Sequence, residues 1–240
     1  MHNNRTYVVT GAASGIGAET TRVLRSQGAQ IIGVDLNPAK DVDAFFECNL
    51  ADPESISALV RRLPKGIDGL ANIAGVPPTL PAETVLRVNF IGLRQLTEQL
   101  IGKLADGASI VNLASLAGTG WEGNLDQVRS ALALAPDSDL QDFCKTEGLT
   151  ANDGTSYFLS KQALIVWTLQ NRWRWRKRGI NMNCVSPGPV ATPILADFVE
   201  TLGERAEKDM AVMDRAAEVS DIAPVVAFAL STEGKWMRGT

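Results

Sequence analysis

Apolar residues recur along the chain in two alternating rhythms. Short apolar runs of strand length occupy Thr6–Thr10, Gln30–Asp35, Ala44–Cys48, Gly69–Ile73, Ser109–Leu113 and Asn181–Val185, each close to a Gly, Asn, Pro or Ser that permits a turn. Longer segments with apolar positions at helical spacing lie between them, near Ile16–Gln27, Pro53–Arg62, Glu83–Leu104 and Tyr157–Lys177. Further helices are expected around Pro193–Glu207 and Val219–Leu230. This alternation predicts βαβ units winding one parallel sheet with helices on both faces. Two stretches interrupt the winding. Residues 118–154, rich in Ala, Leu and Asp, exceed an ordinary connection and predict an inserted helical subdomain or lid. Residues 187–215 mix Pro, Gly and apolar side chains and predict a flap. At Trp236–Thr240 another strand has room to begin, so a segment beyond Thr240 is expected.

Bulk properties narrow the possibilities. A length of 240 residues suits a single domain over 1–240, and 45% hydrophobic with 21% charged residues is the balance of a globular chain. The net charge of -4 and pI near 5.1 give no footprint for nucleic acid or an anionic membrane surface. There is no apolar run of bilayer length, and Met1–Arg5 enters the first strand without a signal peptide's apolar stretch, so a cytoplasmic protein is expected. Cys48, Cys144 and Cys184 show no CxxC spacing and read as reduced thiols. The single histidine, His2, sits at a terminus expected to be mobile, which leaves neither a Ser-His-Asp triad nor a metal centre. The basic and aromatic run Arg172-Trp-Arg-Trp-Arg-Lys-Arg178 reads as the solvated end of a helix, where cations complement the dipole.

The first strand runs into Gly11-Ala-Ala-Ser-Gly15-Ile-Gly17, which opens a helix. Glycines let a backbone turn tightly and approach a pyrophosphate, and the helix N-terminus offers unpaired N–H groups to the anion. Gly11, Ala13, Ser14, Gly15, Ile16 and Gly17 are therefore candidate nucleotide-binding residues. Asp35 ends the second strand roughly 20 residues further on, where a carboxylate accepts from a ribose 2′-hydroxyl and repels a 2′-phosphate. With Leu36 next and no Arg or Lys at 12–14 or 36–37, this favours NAD over NADP. Loops at the carboxyl ends of the third and fourth strands add Asn49, Leu50, Asn72, Ala74 and Gly75 to the nucleotide wall.

With no histidine to serve, Tyr157 and Lys161 are the acid/base candidates. They stand four apart at a helix start and share a face. An ammonium beside a phenol favours the phenolate, which is expected to draw the tyrosine pKa down from about 10. Ser115, just past the fifth strand, is placed to polarise a substrate oxygen toward Tyr157.

The glycine spacing GxxxGxG, Asn72-Ile-Ala-Gly75, Ser115, Tyr157-Phe-Leu-Ser-Lys161 and Pro187-Gly188-Pro189-Val190-Ala191-Thr192 occur together in an order that resembles the short-chain dehydrogenase/reductase family, over Thr6 to about Leu230. The resemblance implies a Rossmann-type fold, hydride transfer between NAD and a carbinol or carbonyl carbon, and a homo-oligomer. It further implies that Asn89 is the relay residue holding a water against the lysine, and that Pro187, Gly188, Val190 and Thr192 cover the nicotinamide. Asn49 replaces a frequent aspartate, and Ile73 departs from the usual Asn-Asn-Ala-Gly. Ser115 and Tyr157 stand 42 residues apart, much further than in most members. That insertion resembles the branch acting on coniferyl-type alcohols and 3α-hydroxysteroids. Trp121, Phe143, Phe158, Pro189, Ile194, Leu195 and Phe198 are the candidate walls for a bulky, weakly polar substrate, an aromatic alcohol first, a steroid or other cyclic secondary alcohol as the alternative. A different class, a catalytically silent NAD-binding regulator, predicts nucleotide binding without turnover.

Overall fold

Side chains of successive residues point to opposite faces of a strand, and in β1 (Thr6–Thr10) this divides Val8 from Tyr7 and Val9. Val8 enters one buried cluster and the other two enter a second. In a computed structural model, which describes residues 2–151 and 153–239, the same division continues across a sheet of six parallel strands. The remaining strands are β2 (Gln30–Asp35), β3 (Ala44–Glu47), β4 (Ile67–Asn72), β5 (Leu104–Leu113) and β6 (Asn181–Val185), and the order across the sheet is β3-β2-β1-β4-β5-β6. Residues 1, 152 and 240, which fall at the chain ends and within the expected insertion, lie outside the described residues.

Both faces are covered by helices. α1 (Gly15–Ser26) and α10 (Val219–Leu230) pack together over the face that carries Tyr7, Val9, Ile31 and Val111. The other face, with Val8, Ile32, Leu70 and Ile110, lies beneath α2 (Pro53–Arg62), α4 (Leu93–Leu100) and α7 (Thr155–Asn171). α2 starts on a side-chain cap, Asp52 accepting from the Glu54 amide at 2.9 Å, with Pro53 in the first turn where its missing N–H is harmless. The strand order reverses direction between β1 and β4, so the carboxyl ends of those two strands open a crevice, the place where doubly wound folds bind ligands.

Several sequence expectations shift on contact with the structure. The single helix expected over 83–104 is three pieces: α3 (Ala82–Leu86), a π-turn segment Arg87–Gly92, and α4, followed by a short 3-10 turn. Gly92 is where the Leu50 carbonyl comes in, since a Cβ there would stand 1.9 Å from that oxygen. α7 stops at Asn171 instead of running to Lys177, because the arginines beyond it bond elsewhere. Arg174 pairs with Glu98 at 2.9 Å, and Arg178 with Asp106 at 2.8 Å and the Ile101 carbonyl at 2.7 Å. His2, expected to be mobile, is buried, its Nδ1 2.7 Å from the Tyr7 hydroxyl.

The insertion between β5 and α7 contains a 3-10 turn at Trp121–Asn124, α5 (Leu125–Ala133) and α6 (Leu140–Thr146). Val128, Ala131, Leu140, Cys144 and Leu149 join the main core, and Arg94 donates to the Leu132 carbonyl at 2.9 Å. The flap after β6 contains α8 (Leu195–Leu202) and α9 (Glu204–Ala211) in place of one longer helix, with Gly203 at φ +47° between them. Its two ends are clipped together, Ala191 N–H donating to Ala217 O at 2.7 Å and Ala217 N–H to Pro189 O at 2.9 Å.

Candidate active site

Two glycines shape the start of the crevice. Gly11 has φ +71°, and a Cβ on it would stand 2.9 Å from the Ala74 backbone, so the chain leaving β1 lies directly on the chain leaving β4. Gly17 is tighter still, with a would-be Cβ 2.0 Å from the Gly11 carbonyl oxygen. The first turn of α1 therefore folds back onto the loop. Ser14 at the N-cap makes no side-chain bond to that turn, and no acidic residue stands in it. Its N–H groups and dipole are left for an anion, which is how a dinucleotide pyrophosphate fits these residues. Thr10, which the sequence reading passed over, holds the β4 exit in place: its hydroxyl accepts from the Ile73 and Ala74 amides at 2.9 and 3.1 Å.

A cleft of about 320 Å³ runs from this turn along the ends of β2, β4 and β5 to the flap. Gly11, Ser14, Gly15, Ile16 and Gly17 line it, with Asp35 and Leu36 at one end. The Asp35 carboxylate accepts from the Ala13 amide at 3.0 Å and the Asn37 amide at 3.0 Å, so Ala13 touches the site through its backbone. Asn49, Leu50, Ala74, Gly75, Pro187, Gly188, Pro189, Val190, Thr192 and Ile194 also line the cleft. Asn49 turns its side chain back, Oδ1 accepting from the Ala51 amide at 2.9 Å. Asn72 does not reach the cleft: it is buried, its Nδ2 donating to Thr97 Oγ1 at 2.9 Å and Asn112 Oδ1 at 2.8 Å.

Ser115, Tyr157, Phe158 and Lys161 converge on the middle of this cleft. Ser115 caps the short 3-10 turn Leu116–Gly118 by accepting from the Ala117 amide at 3.1 Å. Ser115 also acts on Tyr157, favouring its phenolate and lowering the phenol pKa. Lys161 donates to the Leu113 carbonyl at 2.8 Å, and its Nζ stands 5.5 Å from the centroid of the Tyr157 ring. The expectation that lysine draws the phenol pKa down is corrected by burial. Desolvation pushes Tyr157 up to about 12, and the same cause lowers Lys161 to about 8. Both side chains are nearly inaccessible, at 8% and 4%, so the loss of water outweighs the charge. An ammonium at about 8 still carries its proton at neutral pH.

Asn89 lies on the π-turn and is fully buried. Its amide clasps one backbone unit, Oδ1 accepting from the Val76 N–H at 2.8 Å and Nδ2 donating to the Val76 carbonyl at 3.0 Å. The side chain thus fixes the loop after β4 and does not bond Lys161. Phe198 meets the Tyr157 ring edge-on, centroids 4.8 Å apart. Among the expected substrate walls, Trp121 and Phe143 pack against the main core instead, and Leu195 is not among the residues that line the cleft. The reason is the anchoring of the insertion, none of whose described residues lines the cleft. Residues without a sequence signal take their place: Leu116, Leu202, Arg205 and Asp209.

Comparison with known proteins agrees with this architecture. The model of short chain dehydrogenases matches residues 5–124, and a model described as enoyl-(acyl carrier protein) reductase matches 143–240. A coniferyl-alcohol dehydrogenase from a Pseudomonas species is 43% identical over 239 residues, covering 98% of this chain and 93% of that protein. The 3-alpha-hydroxysteroid dehydrogenase/carbonyl reductase of Comamonas testosteroni is 30% identical, covering 97% and 91%. Among solved structures, the NADH complex of a Pseudomonas 3-alpha-hydroxysteroid dehydrogenase superposes with TM-score 0.80 at 27% identity, over 98% of this chain and 92% of that one. Among the described residues no helix is long and apolar enough to cross a membrane. The chain belongs to the short-chain dehydrogenase/reductase family of oxidoreductases.

Proposed function

We propose that the protein oxidises a bulky aromatic alcohol of the coniferyl type to the corresponding carbonyl compound, reversibly, with NAD as hydride acceptor and Tyr157 as acid/base. One observation carries the reading: a buried phenol, one helical turn from Lys161, shares a cleft with Ser115, the glycine turn and Asp35. When bound, the oxidised nucleotide supplies the hydride acceptor and a positive charge. Gly11 to Gly17 would hold its pyrophosphate and Asp35 its adenine ribose, the carboxylate discriminating against a 2′-phosphate. Pro187, Gly188, Val190 and Thr192 would border its nicotinamide.

The protein's own groups then handle the substrate oxygen. Ser115 already spends one lone pair on the Ala117 amide, so its O–H proton is the part left to donate to the substrate oxygen. As the phenolate, the form that Lys161 and the charge of a bound oxidised nucleotide would favour, Tyr157 removes the alcohol proton while the carbinol hydrogen departs with its electron pair, and as the phenol it returns a proton in the reverse direction. Lys161 holds the cationic charge that offsets the phenolate. Phe198, Phe158, Leu116 and Ile194 give the apolar walls that suit a ring. The 43% identical coniferyl-alcohol dehydrogenase supports the aromatic substrate, and the 30% identical relative supports a 3α-hydroxysteroid as the alternative. Three unpaired cysteines, each with its thiol pKa raised by burial, support a cytoplasmic location, and the reading includes a homo-oligomer.

The test is an NADH-absorbance assay of the purified protein with coniferyl alcohol, androsterone and simple cyclic alcohols, with NAD and NADP in parallel. Tyr157→Phe is expected to lower kcat by about 10²–10⁴-fold while NAD still binds. An undiminished rate in that variant removes Tyr157 from its role. Saturable NAD binding with no turnover of any alcohol replaces the enzyme by a nucleotide-sensing regulator.

A further inference from the structure

The flap brings two charged side chains to the cleft that the proposed chemistry does not use. Arg205 and Asp209 stand four apart on α9, share a face of that helix, and both line the cleft that holds Tyr157. Among the described residues neither makes an ion pair or a side-chain hydrogen bond. The Arg205 guanidinium carbon stands over the ring of Phe158, 4.5 Å from its centroid. That cation–π contact holds the group at the cleft while its N–H donors stay unspent.

Position decides which ligand these groups meet. Leu202, the last residue of α8, reaches the beginning of α7, where a Cβ on Gly154 would stand 2.9 Å from its Cδ2. Arg205 reaches Phe158 on the same turn. This end of the cleft is formed by the flap and α7, whereas Asp35 and Leu36 mark the end formed by β2. Arg205 is exposed while Tyr157 is nearly inaccessible, so the cleft grades from a buried acid/base through Phe198, Phe158 and Leu116 to a polar mouth. Thr79 fastens the flap over it, donating to Asp197 Oδ1 at 2.9 Å.

We infer that Arg205 and Asp209 are specificity-determining residues that recognise a hydroxyl on the far end of the substrate's ring. Arg205 donates to the ring oxygen and Asp209 accepts the ring hydroxyl's proton, so the pair selects a hydroxyaryl alcohol over the bare arylalkenol. A ring hydroxyl alone satisfies both partners, being donor and acceptor at one atom; an ether or ketone leaves the carboxylate without a donor. This rests on the aromatic-alcohol reading above and narrows it.

The experiment compares kcat/KM for coniferyl alcohol and for cinnamyl alcohol, which lacks the ring oxygens, in the wild type, Arg205→Met, Arg205→Lys and Asp209→Leu. The coniferyl-to-cinnamyl ratio is expected to fall about tenfold or more in Arg205→Met and in Asp209→Leu, chiefly through KM for coniferyl alcohol. Arg205→Lys retains most of the ratio. A merely structural role lowers both substrates in parallel and leaves the ratio fixed, and that result overturns the inference while the aromatic-alcohol reading stands. A wild-type enzyme that turns over androsterone but neither aromatic alcohol overturns both.

Discussion

Replacing Lys161 by Met separates what the ammonium does for the fold from what it does in the cleft. The side chain is 4% exposed, and burial lowers its pKa from 10.5 to about 8. That shift corresponds to about 3 kcal/mol of folding free energy withheld at neutral pH. Opposing it is one charge-assisted hydrogen bond, 2.8 Å to the Leu113 carbonyl, with a contribution of about 1.5–3 kcal/mol. Methionine fills similar space without a charge to desolvate, so at neutral pH the variant should be as stable as the wild type or more stable by up to about 2 kcal/mol. The pH dependence has a definite sign. Because the folded-state pKa lies below the unfolded one, the unfolded chain holds a proton between pH 8 and 10.5 that the folded chain has released. Raising the pH through that window favours the wild-type fold, and the variant lacks the gain. Denaturant titrations of both proteins at neutral pH and near pH 10 should show the variant's advantage shrinking or reversing, while its NAD-linked turnover is down at least about 100-fold. A variant less stable by more than about 2 kcal/mol at neutral pH, with a difference that does not change with pH, would refute the reasoning.

Three other outcomes follow from particular contacts. Gly17→Ala places a methyl 2.0 Å from the Gly11 oxygen, so the glycine turn must open; NAD should no longer raise the melting temperature, and a ligand-induced shift equal to the wild type's would contradict the cradle. Asp35→Ser removes the carboxylate proposed to hold the adenine ribose and also loosens the amides of Ala13 and Asn37; kcat/KM should fall for NAD and rise for NADP, changing their ratio by about tenfold or more, and an unchanged ratio assigns Asp35 to loop support alone. Thr79→Val cuts the bond to Asp197; the KM for alcohol should rise a few-fold, about 1 kcal/mol of binding, with the KM for NAD unmoved, whereas no change in either would detach the flap from substrate binding.

The regular parts of the fold were legible because two periods do not resemble each other. β1, β2 and β6 begin and end where the apolar runs do, and α2 and α10 where their helical spacing does. Boundaries slipped where backbone groups outside the local pattern took control, as at α7, whose arginines leave the helix to bond Glu98 and Asp106. The glycine turn, Asp35, Ser115, Tyr157 and Lys161, which the structure gathers in one cleft, were legible because close backbone approach and the proposed proton transfer each demand a narrow set of residues. Arg205 and Asp209 gave no signal, since charges four apart on a short helix look the same whether they face a cleft or water. Trp121 and Phe143 misled for the opposite reason: an aromatic residue in an insertion reads as a pocket wall until the insertion is seen to share the main core. The pKa argument failed on distance and water, because spacing brings a lysine beside a tyrosine but says nothing of how deeply the pair is desolvated.

Asn72 shows how a residue read as part of the nucleotide wall serves the site from behind it. Its amide bonds Thr97 on α4 and Asn112 on β5, and Asn112 Nδ2 continues to Thr168 on α7 at 2.9 Å. Thr97 and Thr168 each pass the chain to a carbonyl four residues back in their own helix, at Leu93 and Leu164. Four side chains thus join two neighbouring strands to the two helices that lie on them. Thr168 is seven positions beyond Lys161, two helical turns along the same face, so the bond that holds it to β5 also sets how Lys161 and Tyr157 are turned toward the cleft. Apolar contacts alone would allow a helix to slide or roll at little loss, since packing is nondirectional. A buried amide left unpartnered costs about 1–3 kcal/mol, which makes each displaced position of α7 distinguishable in energy from the one observed. The placement of Tyr157 and Lys161 therefore comes from polar residues in the core, and the hydrophobic pattern that announced the fold carries no trace of it.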